Sequence, residues 1–358
     1  MSKKFQKRAL FINSTKKGLT HQKWVYCLLG LVFLYGFIFT WPVVPSIPNN
    51  GDVSTYKVKI NSQSSLSSIA SQLHEQGIGV GRFSMQIGSR ALFVGGKLKP
   101  GTYLLPLNAS LGKILLQIAH GDRVRETITI IPGTTIWQLR SLIDNHPALI
   151  HQTKGLSSRE LLQALNLSYP GDEGLFFPDT YVFDPDEADI AIYRRASQAM
   201  QKQLGLIWAE HSPESPLKTP YELLTLASII EKETGKASDR EMVAAVFVNR
   251  LNQGMLLQTD PTVIYGLGQK FDGNLRKADL RNNSPYNTYV HKGLPPTPIA
   301  MPSHESLMAA VHPANSDVLY FVSKGDGTSH FSKTLNEHET AVDRYQKKPA
   351  GKNVPHSS

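Results

Sequence analysis

The stretch Thr219-Pro220-Tyr221-Glu222-Leu223-Leu224-Thr225-Leu226-Ala227-Ser228-Ile229-Ile230-Glu231-Lys232-Glu233-Thr234-Gly235 is followed by Ser238-Asp239-Arg240-Glu241 and the run Met242 to Gly254. Together they read as a helical hairpin. Thr219 offers a capping hydroxyl, Pro220 suits the first helical position, and Glu222 stands three residues after the cap, so the orphan amides of a helix start are satisfied. Leu223, Leu224, Leu226, Ala227, Ile229 and Ile230 cover more than half of the helical circumference, which predicts a helix packed on most sides. Gly235 is expected to supply a left-handed stop. The spacing Ser238-Asp239-Arg240-Glu241 then repeats a capping box for a second helix ending near Gly254.

Two acids close the first helix. At i and i+2, Glu231 and Glu233 point to opposite flanks and cannot act as one carboxylate pair. On the helical wheel each borders the buried arc, so periodicity does not choose between them. Burial and the negative helix C-terminus both disfavour ionisation and would keep such a carboxyl protonated and able to donate. The plain alternative is a pair of helix-end acids bound to Lys232, Lys236 or Arg240.

A set of motifs now becomes specific: Leu226 to Thr234, Val246-Phe247-Val248-Asn249-Arg250-Leu251, and Leu257-Gln258-Thr259-Asp260-Pro261-Thr262-Val263-Ile264-Tyr265-Gly266. Pro178-Asp179-Thr180-Tyr181 lies upstream, and Ser284 to Tyr289, Gly293-Leu294-Pro295-Pro296 and His312-Pro313-Ala314 lie downstream. This series resembles the endolytic murein transglycosylase family and covers most of the chain. The resemblance implies that Glu233, the second glutamate of the Glu-Lys-Glu-Thr run, is the catalytic acid. It also marks Tyr286, Asn287, Thr288 and Tyr289 as part of a substrate cleft. Gln258, Thr259 and Asp260 surround Pro261, so several hydrogen-bonding groups project from one constrained turn suited to sugar hydroxyls and amides. The alternative for that turn is a cap on the next helix.

Composition narrows the rest. A chain of 358 residues, 41% apolar and 19% charged, can hold two domains and a sizeable core. Its net charge of +9 suggests nucleic acid until it is located: Lys3, Lys4, Lys7, Arg8, Lys16, Lys17 and Lys23 precede the first acid and account for most of it. A nucleic-acid-binding face is therefore not expected. Cys27 is the single cysteine, which excludes intrachain disulfides and cysteine-based zinc sites. His291, His304, His312, His330 and His338 show no metal-binding spacing. No metal or organic cofactor is expected.

Residues 1–23 read as a basic cytoplasmic tail, and Trp24 to Trp41 as an uncharged membrane span at the short limit of length. A cleaved signal is the rival, but Pro42-Val43-Val44-Pro45 does not resemble a cleavage site. The positive-inside rule puts everything after the span outside the cytoplasm, on a single-pass protein of the cytoplasmic membrane. Residues 42–53 read as a linker. Residues 54–122 read as a small subdomain: a strand at Tyr56 to Ile60, a helix capped by Ser65, a turn and strand at Lys99 to Tyr103, and a helix from Ser110. That order resembles a LysM-like glycan-binding module, with a simple spacer as the alternative. Residues 123–346 form the expected catalytic domain, in an α+β fold centred on the hairpin, and 347–358 a polar tail.

The resemblance implies a lytic transglycosylase that cuts the bond from N-acetylmuramic acid to N-acetylglucosamine within nascent peptidoglycan strands and leaves 1,6-anhydro ends. Its partner is the glycan strand, with cell-wall synthases as candidate neighbours. Two alternatives stay open: a muramidase using Glu233 with Asp260, and a non-catalytic glycan-binding scaffold.

Overall fold

The computed structural model of the protein describes residues 3–49, 51 and 54–346; the expected polar tail from 347 lies outside them. The chain divides into two compact units, residues 1–126 and 127–358.

The first unit opens with helix α1 (Lys3–Thr40). Within it, Gln22–Thr40 is 19 residues of apolar helix, long enough by length and composition to cross a membrane. Strand β1 (Thr55–Ile60), helix α2 (Leu66–Glu75), helix α3 (Arg82–Ala91), strand β2 (Gly101–Pro106) and helix α4 (Leu111–His120) follow. β1 and β2 pair antiparallel, Val58 opposite Tyr103 and Ile60 opposite Gly101. Ser65 caps α2 by accepting from Ser68 N, as its spacing implied. Helix α3 was not legible: Arg-Phe-Ser-Met-Gln-Ile-Gly-Ser-Arg-Ala buries little beyond Met85, Gly88 and Ser89, too narrow a stripe to stand out. The expected linker is also not free at its start. Val44 is buried in this unit's core, and the amides of Val43 and Val44 both donate to Ala109 O.

The second unit runs β3 (Glu126–Thr129), α5 (Ile136–Asp144), β4 (Leu149–Ile150), α6 (Ser158–Leu165), β5 (Thr180–Phe183), β6 (Glu187–Ala188), α7 (Asp189–Trp208), α8 (Pro220–Glu233), α9 (Arg240–Asn252), α10 (Asp260–Leu267), α11 (His304–Val311), β7 (Tyr320–Ser323), β8 (Ser329–Ser332) and α12 (Leu335–Tyr345). Among the described residues its strands form two-stranded ribbons: β3 with β5, β4 parallel to β6, and β7 antiparallel to β8. The architecture is mixed helix and strand, and its centre is α8. Every residue from Leu223 to Ile230 is buried, with α7, α9, α10 and α11 packed around it. Burying even the two polar residues of that run is tolerated because both are bonded: Thr225 Oγ1 donates to Tyr221 O, and Ser228 Oγ donates to Thr225 O while accepting from Ile299 N.

The hairpin starts as expected, with Thr219 Oγ1 accepting from Glu222 N. Its bend differs. α8 stops at Thr234, whose extended backbone leaves the helix and whose hydroxyl satisfies Ile230 O at 2.7 Å, so no left-handed Gly235 is needed. The second capping box does not form either. Residues 237–239 make a 3-10 turn, and the Asp239 carboxylate turns instead to Ser329 N at 2.6 Å.

Candidate active site

Glu233 is the last residue of α8 and is half-buried. Its Oε1 accepts a short hydrogen bond from Thr259 Oγ1. Removal from water is the largest influence on this carboxyl and pushes its pKa up; the Thr259 bond opposes the shift, and the neighbouring Asp260 charge adds to it. The shift is towards the protonated form, the state a general acid needs.

Thr259 is buried and forms the N-cap of α10, so the turn carrying Gln258, Thr259 and Asp260 is indeed a helix start. Thr288 pins it there. Its hydroxyl accepts from Thr259 N and shares a 2.8 Å hydrogen bond with Thr262 Oγ1, while its carbonyl accepts from Gln258 N. Gln258 itself is exposed and sits at φ 50°, a left-handed backbone unusual for a residue with a side chain. Asp260 is exposed too and accepts from Tyr289 Oη at 2.6 Å. Burial, that hydrogen bond and the charges of Asp260 and Glu233 all raise the Tyr289 pKa, which keeps the hydroxyl a donor.

Asn287 is fully buried: its amide nitrogen donates to Asp279, Leu280 and Asn282 carbonyls, and its Oδ1 accepts from Tyr289 N. Tyr286 is half-buried, with its hydroxyl 2.9 Å from Thr297 Oγ1 and its ring 4.9 Å from that of Tyr265. The structure therefore gathers Glu233, Thr259, Asp260 and Thr288 at one place. Asn287 and Thr288 direct their polar atoms into the protein, the exposed Gln258 turns its Oε1 to Arg250 Nη1 at 3.4 Å, and Asp260 stays at the surface with Tyr289.

Glu231 occupies the other flank. One of its oxygens accepts from Ser303 N, Ser303 Oγ and Ser306 Oγ, so this carboxylate is committed to the start of α11. The alternative, in which these acids pair with Lys232, Lys236 or Arg240, is not what the described residues show: Lys232 Nζ donates to Gly133 O.

Two contributors were not singled out from sequence. Arg250, 7% exposed, forks between Leu319 O and the Leu256 and Leu257 carbonyls, with its guanidinium 5.0 Å above the Tyr320 ring. It ties α9 to the turn that carries Thr259. Glu173, 2% exposed, accepts from Ile136 N at 2.9 Å and from Gly174 N, and meets the Tyr265 hydroxyl. Gly174, at φ 78°, lets the Pro298 ring pack where a Cβ would come within 2.5 Å, so the proline-rich segment 293–298 lies against this loop.

Burial pushes the Glu173 carboxyl from 4.5 up to about 8. The folded state then holds a proton that the unfolded chain has released. Stability is full below pH 4.5, declines as pH rises towards 8, and levels off beyond. Glu173→Gln should flatten that decline: its amide nitrogen cannot accept from a backbone N–H, so it should melt below the wild type at pH 4 and gain on it steadily as pH rises to 8. Thermal unfolding of both proteins across pH checks this; equal slopes would sink it.

Among the described residues, one group could present metal-ligand atoms together: Asp144, His151 and Asp189, within 4.8 Å of one another. Asp189 is already occupied by the amides of Gln152 and Thr153 and by the Thr153 hydroxyl. At the far end of α8 from Glu233, a cavity of about 530 Å³ opens beside Thr219, Tyr221, Lys292 and Gly293 to Pro296.

A family model described as YceG-like matches residues 58–344. The endolytic murein transglycosylase of Bacillus subtilis strain 168 is 33% identical over 338 residues, which is 89% of this chain and 91% of that one. The endolytic murein transglycosylase of Streptococcus pneumoniae R6 is 35% identical over 279 residues, 68% of this chain but half of its own longer one. The crystal structure of a yceG-like protein from Listeria monocytogenes matches with a TM-score of 0.51 and 30% identity, covering 80% of this chain and 99% of that chain.

Proposed function

Since the chain belongs to the YceG-like family, we propose that it is an endolytic murein transglycosylase, a lyase of peptidoglycan glycan strands, with Glu233 as its acid and base. The observation that carries this reading is a carboxyl at the end of the central helix, withdrawn from water and held by a single buried hydroxyl. Its proton goes to the oxygen leaving the anomeric carbon of N-acetylmuramic acid. The resulting carboxylate then takes the proton of the muramyl 6-hydroxyl as that oxygen attacks the same carbon. The bond from carbon 1 to the leaving oxygen breaks, the bond from carbon 1 to oxygen 6 forms, and one proton crosses Glu233 in each direction. No water is consumed, so one carboxyl suffices where glycoside hydrolases generally use two.

The other groups serve that proton. Thr259, pinned by Thr288, fixes the Glu233 rotamer. The Asp260 charge, held in place by the Tyr289 hydroxyl, opposes early ionisation of Glu233. Gln258 and Asp260, exposed beside the acid, are the groups placed to meet sugar hydroxyls. The cavity beside Thr219 and the 293–296 wall lies about 20 Å along α8 from Glu233. Its position suits further saccharide units of a strand cut in its interior.

The apolar Gln22–Thr40 helix is read as the anchor in the cytoplasmic membrane, with the basic N-terminus inside and both units outside. The β-α-α-β order of the first unit, closed by an antiparallel pair, supports the LysM-like reading of that module.

The experiment is product analysis. Incubation with uncrosslinked glycan strands should give 1,6-anhydro-muramyl termini by mass spectrometry, at internal cuts. Termini heavier by one water would convert the reading to a muramidase, with Asp260 as its second carboxylate. Strands bound but left intact would reduce it to a scaffold.

A further inference from the structure

We propose that the first unit is itself seated in the outer leaflet of the membrane, through the Phe83 to Phe93 face of α3, and that the cleft between this face and α1 takes phospholipid acyl chains. The inference rests on the reading of Gln22–Thr40 as a membrane span.

The end of α1 is not a free tether. Ile38 is 2% exposed, and Ile38 and Phe39 press so closely on Gly112 of α4 that a Cβ there would meet the Phe39 ring at 2.9 Å. Pro42 bridges to Ser110, and the Val43 and Val44 amides bond to Ala109 O. The unit therefore stays against the last turns of the helix. Beside those turns lies an apolar cleft of about 530 Å³, walled by Leu31, Val32 and Tyr35 of α1 on one side and by Ala91, Leu92 and Phe93 on the other. A bilayer that covers Leu31 and Tyr35 must reach Phe93 too.

The residues on that wall fit lipid. Phe83 is 76% and Phe93 86% exposed, and the exposed Gln86 and Arg90 lie between them on the same side of α3. From Gln76 to Gly121 the sequence holds no acid, while Arg82, Arg90, Lys97, Lys99 and Lys113 are all exposed, a charge suited to anionic headgroups. Aromatic rings beside cations are what an interfacial surface presents.

The backbone adds an independent sign. α3 ends with Val94 N donating to Ser89 O, the bond of a left-handed helix stop, and the left-handed residue, at φ 56°, is Phe93. α4 ends on Gly121 at φ 82°, the residue that adopts this conformation without strain. At α3 a strained phenylalanine stands in that position, its ring facing out, although Gly95 and Gly96 come directly after Val94.

The test uses the full chain with Cys27→Ser, carrying an environment-sensitive fluorophore at Leu31→Cys or Ala91→Cys, in phosphatidylglycerol–phosphatidylcholine vesicles with or without a nitroxide on the acyl chain. Quenching at both positions is expected, with the Ala91→Cys signal weakening severalfold in vesicles of phosphatidylcholine alone. In the Phe83→Ser, Phe93→Gly background, quenching at Ala91→Cys should also fall severalfold while that at Leu31→Cys holds. Phe93→Gly relieves the backbone and should raise the thermal midpoint, so lost quenching there is not unfolding. Quenching at Leu31→Cys without any at Ala91→Cys overturns the docking and leaves the anchor standing. No quenching at either position removes the anchor, and the proposal with it.

Discussion

Glu233→Gln should lower turnover on glycan strands by roughly 100-fold to 10,000-fold, the usual worth of a general acid and base. The amide keeps the shape and can still accept from Thr259 Oγ1, but it cannot give up and recover a proton. Folding should hold or improve, because a carboxyl that is costly to keep away from water is replaced by a neutral group of equal volume. Glu231→Gln should behave differently. Its oxygen accepts three hydrogen bonds that start α11, so the change should lower the melting temperature while leaving chemistry within several-fold of wild type. Release of new chain ends, normalised to folded protein, separates the two. Full activity in Glu233→Gln with loss in Glu231→Gln would move the assignment two residues upstream.

Arg250→Met should cost about 3 kcal/mol or more, since the guanidinium makes three hydrogen bonds to carbonyls at roughly 1.5 kcal/mol or more each, only partly offset by freeing a buried charge. At roughly 2 to 4 °C per kcal/mol for a unit of this size, the melting temperature should fall by about 6 °C or more. Activity should fall as well, beyond what the folded fraction explains, because Leu256 and Leu257 lead directly into the Thr259 turn. Arg250→Lys should recover little: a single ammonium cannot fork between β7 and that turn. A methionine variant that melts with the wild type would show that the carbonyls find other donors.

What was legible in the chain follows the range of the forces. The hairpin could be read because its start is a local device and its burial is periodic: Thr219 caps, and Leu223 to Ile230 disappear into the core as their spacing implied. The bend could not. Whether Asp239 caps its own helix or reaches Ser329, ninety positions on, depends on where β8 lies. The same limit left Glu231 and Glu233 tied on the helical wheel, since what separates them is a set of distant hydroxyls, Ser303 and Ser306 for one and Thr259 for the other. Asn287 and Thr288 stood out as members of a motif, but not that their polar atoms turn inward to carbonyls and to a neighbouring threonine. Glu173 escaped notice because a lone glutamate before glycine carries no sign of burial until Ile136, Tyr265 and Pro298 close over it.

The end of α8 addresses two other helices at once, α11 through Glu231 and α10 through Glu233, from side chains on opposite flanks. That arrangement limits how genes of this kind can diverge. A single codon gained or lost between Ser228 and Glu231 would turn both carboxylates by about 100° and detach them from both partners together, with no single substitution able to restore either. Lineages should therefore vary the hairpin by replacement alone and keep their length changes in exposed loops such as residues 268–277. A library of one-residue insertions, selected for function, should show an abrupt gap over the last two turns of α8 and open tolerance in that loop.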